Sequence, residues 1–136
     1  MGLAEKRAVK EFQDGAFLEW KKKIDAAAGM TIEIEVKWEQ LAEDGMSHLY
    51  AEAWPKVYFE PVEAALKSIC ADAMGKEALH GALKKISIVN ENKIYYGDRW
   101  SKFEGGVLML DHQPHSNIDD IKDRTEGVVK TLENSL

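Results

Sequence analysis

Asp111-His112-Gln113-Pro114-His115, followed by Asp119 and Asp120, is the one cluster of ligand-type side chains in the 136 residues. Imidazoles beside carboxylates can hold zinc or another divalent ion. An imidazole paired with a carboxylate, such as His112 with Asp111, can also act as a general acid or base. The spacing argues against the metal. A proline separates His112 from His115, so the two rings cannot share one helical face as the histidines of a helical HExxH site do. The plainer account is a strand-to-helix loop with polar residues and a capping acid. A hydrolase- or isomerase-type enzyme using His112, His115 and Asp111 needs a pocket around that loop.

Other groups offer less. Glu33 and Glu35 stand two apart on the solvent side of a strand, a side-chain spacing of roughly 7 Å, and nothing around them predicts desolvation. Cys70 sits at the edge of an apolar helical stripe and reads as a small buried hydrophobe. No glycine-rich phosphate loop, G-x-S-x-G, C-x-x-C or EF-hand loop occurs. These residues make no positive case for an enzyme, and the expected cofactor and metal content is none.

Two aromatic stretches are better suited to recognition. Tyr95, Tyr96, Trp100 and Phe103 lie among Asn, Asp, Ser and Gly. Large aromatics among small polar residues give contact area at little entropic cost. Two of the four are expected to pack inward, and Tyr96 and Trp100 are the outward candidates. The second stretch holds Met46, His48, Leu49, Tyr50, Trp54, Tyr58 and Phe59. No single helical stripe takes all of them inward. The surplus predicts an exposed apolar patch of the kind that marks a partner site, unless Pro55 turns the chain so that both sides meet core.

These residues must be positioned by a small number of elements. Leu3 to Ala28 carries an apolar stripe of Val9, Phe12, Ala16, Trp20, Ile24 and Ala27 at helical spacing. The stripe continues through Gly15, which predicts one helix rather than two. Thr31 to Trp38 alternates apolar and charged residues and predicts a strand with one solvated face. A polar connection follows, with at most a turn of helix. A helix is expected from Ser47 to Ala53, interrupted at Trp54-Pro55 because the residue before proline disfavours helical backbone. A new helix begins at Pro61. Gly75 punctuates, and a short helix runs from Lys76 to Lys85. Strands are expected over Ile86–Asn90 and Ile94–Tyr96, joined by a hairpin turn at Glu91-Asn92-Lys93. A third runs from Val107 to His112, opened by Gly105-Gly106. Ser116 is the expected N-cap of the last helix.

The fold class this predicts is α+β, a single two-layer domain of about four mostly antiparallel strands packed against three or four helices. A chain of this length buries about two-thirds of its unfolded surface and needs no disulfide or metal. The net charge is −6, from 18 basic and 24 acidic residues. That balance disfavours nucleic acid as a partner and favours a basic protein partner. No apolar run reaches the roughly 20 residues of a membrane helix, so no membrane partner is expected. One cysteine and no signal-like N-terminus make the cytoplasm the expected compartment. The functional expectation is therefore a non-enzymatic protein-binding domain with an apolar or aromatic patch and an acidic rim. A homodimer whose patches are subunit contacts is the alternative of a different class. On a natural scaffold with a rebuilt surface, the outward Met, Leu and aromatic residues would be the installed contacts.

Overall fold

The computed structural model describes residues 1 to 136. Its sheet has the order β1-β2-β4-β3, with β1 Glu33–Val36, β2 Lys85–Val89, β3 Ser101–Glu104 and β4 Val107–Asp111. β1 pairs parallel with β2, and β2 pairs parallel with β4. Only β3 and β4 are antiparallel. The sheet is therefore mixed, not mostly antiparallel. The reason lies in the connections. Parallel neighbours need a long crossover, and the helices between Val36 and Lys85 supply one. The second parallel pair arises because the chain leaves β2 and returns through β3 on the far side of β4.

The expected hairpin at Glu91-Asn92-Lys93 does not form, and Ile94 to Tyr96 is not a strand. Asp111 accounts for this. Its Oδ1 accepts the Glu91 amide at 2.9 Å and the Asn92 amide at 3.3 Å, and its Oδ2 accepts Asn92 Nδ2 at 2.7 Å. The turn is thus tied to the end of β4, and the chain is led out of the sheet. The actual hairpin joins Glu104 to Val107 through Gly105 and Gly106, at φ 60° and 82°. Two consecutive left-handed residues make the two-residue turn that suits twisted strands, and glycine adopts it without penalty.

The N-terminal stripe forms two helices, α1 Leu3–Asp14 and α2 Ala16–Ala28, broken at Gly15 with φ −123° and ψ −93°. The break lets Val9 and Phe12 of α1 and Ile24 and Ala28 of α2 reach the core from different directions. After β1 comes one helical turn, α3 Trp38–Leu41. A 3-10 turn at Ser47–Leu49 leads into α4 Tyr50–Trp54.

At Trp54-Pro55 the chain stays helical, with Trp54 at φ −62° and ψ −42°. The proline, which cannot donate a backbone N–H, is accommodated by a wide π-helical turn, Pro55–Phe59, closed by the Glu60 amide on the Pro55 carbonyl. The path continues without interruption into α5 Glu60–Ile69. The wider turn rotates the side chains around the axis. Tyr50, Ala53, Trp54, Val57, Tyr58, Phe59 and Val62 are all buried, on opposite sides of the same helix. Phe59 meets Phe12, Phe17 and Trp20, whereas Tyr58 faces Trp100. This segment runs through the interior rather than along its surface.

α6 spans Ala73–Ala82, with Asp72 as N-cap accepting the Gly75 amide at 2.7 Å, so Gly75 lies inside the helix. α7 is Ile121–Ser135 and begins after Asp120 rather than at Ser116. The helices pack on the sheet face that carries Ile34, Val36, Ile86, Ile88, Leu108 and Leu110. The opposite face carries Glu33, Glu35, Lys85, Lys102 and Glu104 in the same registers. No helix is long and apolar enough to cross a membrane.

Candidate functional site

The residues proposed for an exposed patch separate into two groups. Tyr50, Trp54, Tyr58, Phe59 and Trp100 lie in the core at 1% exposure or less. They cannot form an exposed contact surface: the continuous helix and its π turn bury the first four, and Trp100, just before β3, is packed against Tyr58 and His112 with its indole N–H on the Arg124 carbonyl. Met46, His48 and Tyr96 are exposed, and Leu49 is half-buried. Met46, His48 and Leu49 form a short lip at the 3-10 turn that precedes α4.

The cluster of histidines and carboxylates is also structural in its contacts. Asp111 is buried and spends its oxygens on the Glu91–Asn92 turn. His112 is fully buried, and its Nδ1–H donates to the Gln113 carbonyl at 2.6 Å. Burial lowers its pKa, and Nε2 has no partner. Its own carbonyl accepts the Tyr58 hydroxyl. His115 lies apart from His112 in role. Its Nδ1 meets Glu43 Oε1 at 2.6 Å, and its ring stacks on Tyr50 at 5.5 Å. Gln113 Nε2 donates to the same Glu43 oxygen at 2.6 Å. Glu43 was not legible as part of this group, since it stands about 70 residues away with no motif around it. The Tyr50 hydroxyl, donated to the Glu43 carbonyl, is pushed up to about 12 by burial and then by Glu5, Asp44 and Glu43. No three groups among His, Cys, Asp and Glu converge closely enough to hold a metal ion. None of the four main cavities is lined by His112, His115 or Asp111.

The Tyr95–Tyr96 segment is different. Tyr95 is 44% exposed and Tyr96 57%, yet the backbone beneath them is firmly held. Asn117 Nδ2 donates to the Tyr95 carbonyl at 3.0 Å, and the Gln113 amide donates to the Ile94 carbonyl at 2.8 Å. The next residue, Gly97, lies directly on α7. A Cβ on Gly97 would come within 2.6 Å of the Asp123 carbonyl, and one on Gly127 within 1.9 Å of the Gly97 carbonyl. Glycine at both positions is what allows the two backbones to touch. Trp100 closes the loop from below, its indole N–H donating to the Arg124 carbonyl at 3.0 Å. Arg124 is itself fully buried and donates to the carbonyls of Asn117, Ile118 and Lys56. It thereby ties the π turn to the segment before α7.

Between this loop and α7 runs a groove of about 540 Å³. Tyr95 and Tyr96 lie on its loop side with Asp98, Asp120 stands at the N-cap of α7, and Asp123 and Glu126 lie along α7. Lys130 is the one cation in the lining. Two tyrosine rings and four carboxylates bordering one concave surface favour a cationic group, through ring quadrupoles and direct charge. Tyr96 already has a guanidinium near it, with Arg99 Cζ 5.3 Å from its ring centre. Of the residues expected to bind a protein partner, only Tyr96 lines this groove; Tyr95 from the same stretch and Asp120 from the ligand-type cluster join it there. Nothing in the sequence set Asp123 and Glu126 of α7 against the tyrosines.

No family model, curated protein or solved structure matches the chain.

Proposed function

We propose that the protein is a non-enzymatic binding domain whose groove between the Tyr95–Tyr96 loop and α7 takes a basic segment of a protein partner. The observation that carries the reading is the placement of two exposed, backbone-anchored tyrosines opposite Asp120, Asp123 and Glu126 in one concave surface. A lysine or arginine side chain entering the groove meets an aromatic face and carboxylates together. Its alkyl stem packs against the ring while its charge stays near the acids. The anchoring matters as well, because a held loop loses little conformational entropy when a partner docks.

The test is a titration of the full chain with a short lysine- and arginine-rich peptide, followed by amide NMR. Shifts are expected in Tyr95–Asp98 and along the first half of α7. Tyr96→Ala and Glu126→Gln should each weaken binding by roughly two- to fivefold, the range of an exposed cation–π contact or ion pair. Shifts spread over the whole surface, or affinities untouched by both substitutions, would overturn the proposal.

A further inference from the structure

We infer that the free edge of β3 is the interface of a symmetric homodimer, in which two copies of the sheet join through antiparallel β3–β3 pairing centred on Phe103. This edge adjoins the groove, with Thr131 of α7 lying between them, but the inference rests on β3 alone and does not depend on the groove's occupant.

Strand alternation decides which backbone groups of β3 point outward. The Asp111 amide donates to the Trp100 carbonyl, so Trp100 is a hydrogen-bonded position opposite β4. Antiparallel alternation then directs the polar groups of Lys102 and Glu104 toward β4, and those of Ser101 and Phe103 toward the open edge. β3 is the last strand of the sheet on that side. The Ser101 carbonyl is in reach of Thr131 Oγ1 of α7, at 3.4 Å. Phe103 is left at the middle of the edge with its amide and carbonyl facing out.

Lys102 and Glu104 are exposed, on the sheet face away from the helices. Their neighbours across β4 are Met109 and Val107, which cannot pair with them. Neither makes an ion pair anywhere in the chain. When two β3 strands pair antiparallel about Phe103, Lys102 of each copy falls directly opposite Glu104 of the other. These are non-hydrogen-bonded positions, where side chains lie closest. The two-fold axis thus supplies both charges with their missing partners, and the two Phe103 amides and carbonyls bond to each other. A surface complementary to itself about an axis is what an isologous dimer requires.

The opposite edge shows the contrast. β1 carries Glu33 and Glu35 on the same face, both already held by Lys85 at 3.7 and 3.0 Å. Self-pairing of β1 about Ile34 would set glutamate against glutamate. Pairing β1 with β3 in full overlap would satisfy Lys102 but oppose Glu104 with the second glutamate. Only β3 with β3 satisfies every charge, and that choice closes the assembly at two copies rather than extending it into a fibre.

Sedimentation equilibrium of the full chain tests the inference. The wild type should move from 15.3 kDa toward twice that mass as concentration rises. Lys102→Glu and Glu104→Lys each create two like-charge pairs in the dimer and should weaken it about tenfold or more. The doubly exchanged variant, with both substitutions, restores the pairing and should recover dimerisation. Both side chains are exposed and unpaired, so circular dichroism should show the fold intact in every variant. A wild type that stays at 15.3 kDa up to about 1 mM overturns the inference. So does a dimer that either single reversal leaves unweakened, or a double exchange that fails to restore association.

Discussion

Trp100 and Tyr96 show how far the environment of one residue decides its role. Four positions apart, one is 1% exposed and the other 57%. Trp100 fills space beside Tyr58 and His112, and its N–H satisfies the Arg124 carbonyl. Trp100→Ala should therefore cost about 3–5 kcal/mol of stability, read from urea unfolding, and Tyr96→Ala should stay within about 0.5 kcal/mol. Equal losses from the two would refute this division. His112 makes a second prediction, on pH. Burial lowers its pKa in the folded chain below the ordinary 6.5, so the unfolded chain binds a proton more readily. Its burial carries no protonation penalty above the unfolded pKa. Stability then falls as pH drops through about 6.5 and levels once the folded pKa is passed. Melting followed from pH 7.5 down to pH 5 should show that decline, and His112→Gln should flatten the part due to this residue.

At the scale of elements, two backbone devices set the architecture. The π turn at Pro55–Phe59 carries the helix past a proline and lets its two sides face two parts of one core. Without it, a uniform stripe would leave part of the Tyr50–Phe59 set in water. The second device is the contact of Gly97 with Gly127, which lays the tyrosine loop against α7. Gly127→Ala has no room for its methyl, because the obstacle is backbone. It should cost about 1–3 kcal/mol as strain and displacement. It should also weaken binding of a basic peptide, since the loop side and helix side of the groove would separate. Thermal unfolding together with the peptide titration checks both halves. A Gly127→Ala variant with wild-type melting and wild-type affinity would show that the close approach is dispensable.

For the whole molecule, the governing quantity is charge. On the proposed reading, a net charge of −6 and an acidic groove would together attract a basic partner from a distance and hold it on contact. At 0.1 M salt the screening length is about 10 Å, comparable to the dimensions of such a groove. Calorimetric affinity for the lysine- and arginine-rich peptide should fall steadily as salt is raised from about 50 to about 500 mM. An acidic peptide of equal length should not bind at either end of that range. Salt-independent affinity would instead point to an apolar contact, and the lip of Met46 and Leu49 would become the better candidate.

The amino-acid order by itself determined the α+β class, the β1, β2 and β4 segments to within a few residues, and the inward placing of Val9, Phe12 and Ile24 in the N-terminal helical stripe. Those features are local, because period two and period 3.6 are written in neighbouring residues. It also pointed to Tyr96 as outward. It did not determine that Leu3–Ala28 breaks at Gly15, that the helix passes through Pro55, or that β3 lies at Ser101–Glu104 rather than Ile94–Tyr96. Each of these was decided by partners distant in sequence: the surrounding aromatic core, the Asp111 side chain on the Glu91–Asn92 amides, and α7 against Gly97. Asp111 and His112, which suggested chemistry in the linear sequence, are enclosed by the fold, with Asp111 fastening a turn. His115 is held between Glu43 and Tyr50. The groove has the opposite origin. Its tyrosines and α7 carboxylates are about 25 residues apart, and only tertiary packing brings them to one surface.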